Sequence, residues 1–523
     1  MQIIEKPELN QLITVKRNPT STFKEEFIIA KFFEDNSSVL GTGFSHKENE
    51  FIDFKREPLL HQKLSEEGPA VAIADVNGDG LEDVYFGGAK DFSGKLFLQT
   101  SSGSFKRKTI LDFEVDKTQE DTDAVFFDAN GDGNLDLYVV SGGNETKANT
   151  QNYIDRLYFG DGKGNFSRIR NVLPIVLESG AVVRIHDIDG DGQQDIFVGS
   201  RVKPARYPET PKSYILKNEN GSFKDVTINW GIEISNVGMV TDAEFADLDN
   251  DGIKELIIAG EWMPVSVFKF ENGSYKNRTE AYGLNEKVGW WNSLTVADIN
   301  GDGFKDIIAG NLGLNSIFKA STSEPVEIYF KDFDDNGSLD PIITSYNEGI
   351  SYPLHNRDRV LDQMAFLKKR FTRYEPYSIA TINDIFTPEE LTDVNILKAN
   401  HFTHTLFLNQ KGTYFKAEVL PSETQISVLN DVVVKDLDKD GKVDLITGGN
   451  FFGTDAEYGR YDASIGCTLI NSNNNNFKSI SSSESGLNIG GNVQHLKTII
   501  VAGEQHILVV RNNALASLIK IKN

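Results

Sequence analysis

Along most of the chain, short apolar runs alternate with small acidic clusters. Two and four residues ahead of the clusters stand apolar pairs at period two: Val71/Ile73, Ala124/Phe126, Val183/Ile185 and Val432/Val434. Behind them come Val84-Tyr85-Phe86, Leu137-Tyr138-Val139-Val140, Ile196-Phe197-Val198, Leu256-Ile257-Ile258 and Ile307-Ile308-Ala309, each soon followed by Gly. Alternation before and a short apolar run after predict two buried strands joined by an acidic hairpin loop. A second hairpin follows most copies, as an apolar strand, a Gly or Asn turn and an aromatic. Examples are Leu96-Phe97-Leu98 with Gly103-Ser104-Phe105, Leu157-Tyr158-Phe159 with Gly164-Asn165-Phe166, and Leu406-Phe407-Leu408 with Gly412-Thr413-Tyr414. The unit is therefore four strands. A single four-stranded unit cannot bury both of its faces, so a series of them predicts an all-β propeller.

The acidic clusters are one nine-residue loop repeated seven times, beginning at Asp75, Asp128, Asp187, Asp247, Asp298, Asp332 and Asp436. The first five starts are evenly placed. The fifth and sixth are crowded, and a long interval precedes the seventh, which leaves seven or eight blades open. That interval holds a short helical insertion near 356–400. Val360, Leu361, Met364, Leu367 and Phe371 share one helical face, and Thr387-Pro388-Glu389-Glu390 reads as a capping box. Three strands without an acidic loop follow at the C-terminus, and Phe51 to Leu60 is the candidate fourth strand closing the ring.

Positions 1, 3, 5 and 9 of every loop carry an oxygen side chain, position 6 is always Gly, and position 7 is free. The oxygen sets are Asp75, Asn77, Asp79 and Asp83; Asp128, Asn130, Asp132 and Asp136; Asp187, Asp189, Asp191 and Asp195; and Asp247, Asp249, Asp251 and Glu255. They continue with Asp298, Asn300, Asp302 and Asp306; Asp332, Asp334, Asn336 and Asp340; and Asp436, Asp438, Asp440 and Asp444. Position 7, which would offer only its carbonyl, holds Leu81, Asn134, Gln193, Ile253, Phe304, Ser338 and Lys442. A hard cation such as Ca²⁺ asks for six to eight oxygens, and a tight loop with alternate oxygen side chains and one Gly supplies them. Up to seven Ca²⁺ are expected. The loops are not EF-hands, because position 12 holds Phe86, Val139, Val198, Ile258, Ala309, Ile343 and Thr447 in place of a bidentate Glu. Glu255 at position 9 and Asn336 with Pro341 make the fourth and sixth loops the departures.

The formal net charge of −24 sharpens this picture, because the acids at the loop positions account for the excess. Such a surface repels phosphate backbones, which argues against a nucleic-acid partner. The single Cys467 excludes a disulfide framework, and no apolar stretch is long enough for a membrane helix.

These loops make the chain resemble the FG-GAP/VCBS repeat family, whose best-known members form the propeller head of integrin α subunits, and Phe86-Gly87-Gly88-Ala89 is similar to its eponymous signature. Gly289-Trp290-Trp291-Asn292, Asn311-Leu312-Gly313-Leu314-Asn315 and Gly459-Arg460-Tyr461-Asp462 resemble exported bacterial VCBS proteins related to cartilage acidic protein. In those, a small β module called ASPIC/UnbV stands between propellers. Residues 4–16 resemble the tail of such a module, so the resemblance implies an N-terminal β segment over 1–50, a propeller over 51–523, and a place in a longer exported chain.

The expected function is a non-enzymatic, extracellular, cell-surface or periplasmic Ca²⁺-binding scaffold for adhesion to a protein or glycan. Candidate contacts are Trp262, Trp290, Trp291, Arg357, Tyr458, Arg460 and Tyr461, since rings and guanidinium groups anchor sugars and partner proteins. Against this stands the reading of the Trp pair and Tyr461 as blade packing. The alternative function is a polysaccharide lyase or glycoside hydrolase acting on acidic polysaccharide. For it, His355, Arg357, Asp358 and Arg359 form the densest cluster of catalytic residue types.

Overall fold

The computed structural model describes residues 31–40, 45–472 and 475–522, and among these the chain forms eight antiparallel sheets, seven of four strands and one of five, in which Val288–Trp290 adds to Glu255–Pro264. Seven follow one another around a ring, with inner strands Val71–Ala74, Asp121–Phe127, Ser179–His186, Met239–Ala246, Ser293–Ala297, Leu429–Lys435 and Val493–Val501. Successive inner strands pack side by side. The ring closes where Val71, Val84 and Phe86 of blade one pack on Ile499, Val501 and Leu508 of blade seven. Each blade buries an apolar layer against the next, so Tyr138, Leu157, Ile196 and Leu216 all sit between blades two and three at 0–1% exposure. That layering is what the four-strand repeat requires.

The closing strand differs from expectation. Blade seven consists of Val493–Val501, Glu504–Arg511 and Ser517–Ile521, and its outer strand is Phe33–Asp35, paired Phe33 with Ile521 and Asp35 with Ile519. The propeller therefore draws on residues before 51. Phe51 to Leu60 contains a helical turn, Asp53–Arg56, whose Asp53 is wholly buried and accepts from Leu64 N–H and the Ser65 hydroxyl. A buried acid tied to its own segment makes a compact hook, which cannot extend along a blade edge. Residues 4–16 lie outside the described residues.

The eighth sheet is an insertion. Its strand order is Ile350–Pro353, Ile342–Asn347, Val326–Phe330, Asn395–Ala399, and it is threaded between the second and third strands of blade five, Asp306–Gly310 and Thr405–Asn409. The crowded fifth and sixth loops thus belong to different sheets, and the ring has seven blades. The expected helical face is present: Val360, Leu361, Met364, Leu367 and Phe371 are buried along Arg357–Gln363 and the turn after it. At Thr387 the capping box forms, with Thr387 N–H donating to Glu390 at 2.8 Å, but the chain turns there without making a helix. In blade five it is Phe415, 5% exposed, that pairs with Asn409, while Tyr414 points outward.

Blade-to-blade fastening has a polar part as well. Asp123, Asp242 and Asp431 follow a bulge on their inner strands and accept from Val183, Leu294 and Leu496 N–H of the next blade at 3.0, 2.7 and 2.8 Å. In the FG-GAP-like signature, a Cβ on Gly87 would lie 2.6 Å from the Asp121 Cβ, and Gly88 N–H donates to Asp121 at 2.7 Å. Glycine here lets blade two approach blade one.

Candidate metal loops and the opposite rim

Every loop has the same frame. The Gly at position 6 adopts φ between 82° and 90°, and its N–H donates to the position 1 carboxylate, as in Gly80 to Asp75 at 2.8 Å, Gly303 to Asp298 at 2.9 Å and Gly441 to Asp436 at 3.0 Å. The position 7 N–H donates to position 5, as in Leu81 to Asp79 and Asn134 to Asp132 at 2.9 and 2.8 Å. Position 4 also lies in the left-handed region, held by Gly78, Gly131, Gly190, Asn250, Gly301, Asp335 and Lys439. The preponderance of Gly, Asn and Asp there was the available signal for this second constraint.

Position 9 differs from the others in its burial. Asp83, Asp136, Asp195, Glu255, Asp306, Asp340 and Asp444 are all at 0% exposure. In five of the blades one oxygen takes the N–H of position 2 and the other takes an N–H from the third strand. Asp306 does this with Ile299 at 2.9 Å and Asn409 at 2.7 Å, and Asp83 with Val76 and Gln99 at 3.2 and 2.8 Å. Position 9 is thus a staple between loop and blade. Burial, with the nearby position 5 and position 1 carboxylates adding to it, pushes Asp83, Asp136 and Asp306 up to about 6. Glu255 uses its longer arm to take Leu248 N–H at 2.8 Å.

Four loops bring three carboxylates within 4.8 Å of one another: Asp187/Asp189/Asp195, Asp247/Asp249/Asp251, Asp332/Asp334/Asp340 and Asp436/Asp438/Asp444. These groups could hold a metal ion. In the first, second and fifth loops position 3 is Asn77, Asn130 or Asn300, an amide oxygen in place of a carboxylate. The sixth loop keeps its frame despite Asn336 and Pro341. Its Gly337 N–H reaches Asp332 at 2.7 Å, and Pro341 falls just ahead of the strand, where no donor is asked of it. The donor set is all oxygen throughout, and Asp334 Oδ1 is buried without a hydrogen-bond partner. Such a set suits a hard divalent cation.

The expected ligand residues lie elsewhere. Met239–Ala246 runs into the fourth loop and Glu255–Pro264 runs back from it, so Trp262 is on the rim opposite the loops. There Trp262, Trp290 and Tyr461, at 3–6% exposure, pack with Leu60, Leu64, Phe318 and Phe402 beneath the inserted sheet, and Trp291 is wholly buried between blades four and five. These four aromatics are buried in packed clusters, and Trp290 also lines the central cavity described below. Arg357 pairs with Asp358 at 2.7 Å and lies over the Tyr374 ring, Tyr458 is half-buried against Phe318, and Arg460 is exposed over the Phe452 ring.

The cluster of catalytic residue types is also taken apart. His355 is 2% exposed and accepts Ile343 N–H, and burial lowers it to about 3, so it stays neutral. Arg359 is turned away to Asp455 at 2.7 Å. On the same rim, Glu261 ties blades three and four to the N-terminal hook. It accepts from Arg201 at 2.6 Å, Gln62 at 2.8 Å and the Tyr207 hydroxyl at 3.2 Å. Next to it is a buried acidic group. Burial raises Glu48 to about 8 and Glu67 and Glu145 to about 7, and it raises Glu120 with help from those neighbours. A central cavity of about 460 Å³ lies inside the ring, lined by Asp123, Arg184, Asp242, His495 and Lys497 among others.

Four copies of a family model described as FG-GAP-like repeat match residues 75–139, 128–198, 187–258 and 247–309, so that the matches run from the first loop through the strand after the fifth. With the ring of seven antiparallel sheets, this makes the chain a β-propeller. Residues 75–309 of this propeller carry FG-GAP-like repeats. No curated protein matches it. Among solved structures it is similar to BBS1N in complex with ARL6DN, soaked with mercury, at 9% identity over 88% of this chain and 94% of that one, with TM-score 0.39. It is also similar to the Dos1 propeller, at 11% identity over 88% and 94% with TM-score 0.39. YCF48 bound to D1 peptide is a third, at 9% identity over 88% and 95% with TM-score 0.38. Likenesses this distant carry no argument about function.

Proposed function

We propose that this chain is an exported scaffold whose loops bind Ca²⁺ and whose opposite rim meets a protein or glycan. The observation that carries the reading is the common frame of the seven loops, in which backbone N–H groups hold the position 1 carboxylate and the position 5 oxygen in place whatever stands at position 7. Carboxylates held this close repel one another unless a cation lies among them. Extracellular Ca²⁺ modules bind at about 10⁻⁴–10⁻³ M, a range that fits a Ca²⁺-rich exterior. No described helix is long and apolar enough to cross a membrane.

The ligand surface is the rim carrying the inserted sheet. Its singular loops expose Leu314, Ile317 and Ile426 beside Arg460, a mixture suited to protein or sugar contact. Chelation with EGTA lowers the melting temperature on this reading, and Asp132→Ala removes one Ca²⁺ from the titration. An identical melt with and without chelator would overturn it. Screening against glycan and protein arrays in the presence of Ca²⁺ identifies the ligand class, and Arg460→Ala weakens the hits.

A further inference from the structure

Three loops carry an acid at all four oxygen positions: those starting at Asp187, Asp247 and Asp436. In two of them a lysine from the third strand of the same blade enters the loop. Lys269 Nζ is 2.5 Å from Asp249, 2.7 Å from Asp251 and 3.0 Å from Glu255, with its side chain 8% exposed. Lys217 Nζ pairs with Asp189 and lies 2.9 Å from Asp191, with the Trp230 ring 5.4 Å behind it.

The two lysines occupy one register position. Leu216 pairs with Ile196 and Phe268 with Leu256, so Lys217 and Lys269 are the next residue of each strand. By the same register the position is Leu98 in blade one, Phe159 in blade two, Leu408 in blade five and Ile470 in blade six. The loops of blades one, two and five have an amide at position 3 and an apolar residue here; blades three and four have a fourth acid and an ammonium. In blade six the lysine is Lys442, position 7 of the loop itself; it pairs with Asp440 at 2.8 Å and donates to the Ser472 carbonyl at 3.4 Å, and its side chain is 38% exposed.

Ca²⁺ needs its oxygens at about 2.3–2.6 Å, the same oxygens that these ammonium groups hold. Loading either loop would mean expelling the lysine and breaking two or three close ion pairs. We propose that the loops of blades three and four are closed by their own lysine in place of a divalent cation, and stay formed when Ca²⁺ is withdrawn. The proposal rests on the reading of the remaining loops as Ca²⁺ sites.

The test is a calorimetric Ca²⁺ titration of the whole chain beside Lys217→Leu/Lys269→Leu, leucine being the residue at 98 and 408. The wild type takes up two Ca²⁺ fewer than the double variant. Hydrogen exchange on the wild type alone gives a second measurement, independent of how well the variant folds. In EGTA the amides of residues 128–136 and 298–306 exchange about tenfold faster or more, while those of 187–195 and 247–255 keep their protection. Equal stoichiometry in the two proteins, or equal loss of protection in all the loops, overturns the proposal and leaves the Ca²⁺ reading intact. If neither protein takes up Ca²⁺ at all, the Ca²⁺ reading itself fails and the proposal falls with it.

Discussion

On the loop rim Gly80 donates to Asp75 and Gly303 to Asp298, partners five residues apart. On the other rim Gln62 reaches Glu261 and Arg359 reaches Asp455. One rim is seven copies of a local frame. The other is a single assembly of pieces from distant parts of the chain: the N-terminal hook, the ends of blades three and four, and the inserted sheet. Local, repeated structure can lose one copy and keep the rest, whereas a one-off assembly has no spare. The contrast sets where damage should be tolerated.

The sharpest test of that contrast is Trp290→Ala. Trp290 stacks on His61 at 4.6 Å and packs edge-on against Trp262, Phe318 and Phe402, so its loss empties the centre of the singular rim. Removing a buried Trp costs about 3–5 kcal/mol, read by denaturant unfolding. A cost below about 1 kcal/mol would show that this rim is not held by its aromatic cluster.

A smaller effect separates two positions within one loop. Asp306→Ala strands the N–H groups of Ile299 and Asn409 in the interior and costs about 2–3 kcal/mol even in EGTA. Asp302 is exposed, and its replacement by Ala lowers the melting temperature only when Ca²⁺ is present. Equal costs for both in EGTA would contradict the division into staple and ligand.

The most gradual effect is with pH. Burial lowers His61 to about 4, His404 to about 4 and His355 to about 3, and all three belong to the singular rim or the strands feeding it. A lowered histidine contributes stability that is present above its unfolded value of about 6.5 and is lost as pH falls through the folded value. Protection of the Ile343 and Asn311 amides, whose N–H groups these imidazoles accept, should therefore fall as pH drops from 6.5 to 4, while the raised carboxyls of Glu48, Glu67 and Glu145 act on the global melt in the opposite sense. Unchanged protection at those two amides over that range would mean the histidines are not held neutral.

How much of this was legible in the sequence follows the same contrast. The loops, the four-strand unit and the buried face from Val360 to Phe371 each depend on neighbours within a turn or a hairpin, and each was readable. The dual role of position 9 was not, because ligand and staple both ask for a carboxylate, and only burial separates them. The inserted sheet was hidden because Val326–Phe330 pairs with Asn395–Ala399 across the helical segment, while the hairpin it forms with Ile342–Asn347 looks like any other blade. Trp290 and Trp291 offered no sign of which way they faced, since a tryptophan in a core and one on a binding face are the same letter. The closing strand, three residues long, is too short to carry a pattern.

That short strand also decides how the molecule would bear load. Phe33–Asp35 runs antiparallel to Ser517–Ile521 with Phe33 opposite Ile521, so the chain enters and leaves the ring at the same end of the pair. Tension applied through the two ends would peel this pair apart one hydrogen bond at a time instead of shearing them together. The pair would give way as a zip fastener, at low force, and the remaining strands of the ring would feel the pull only after it had opened.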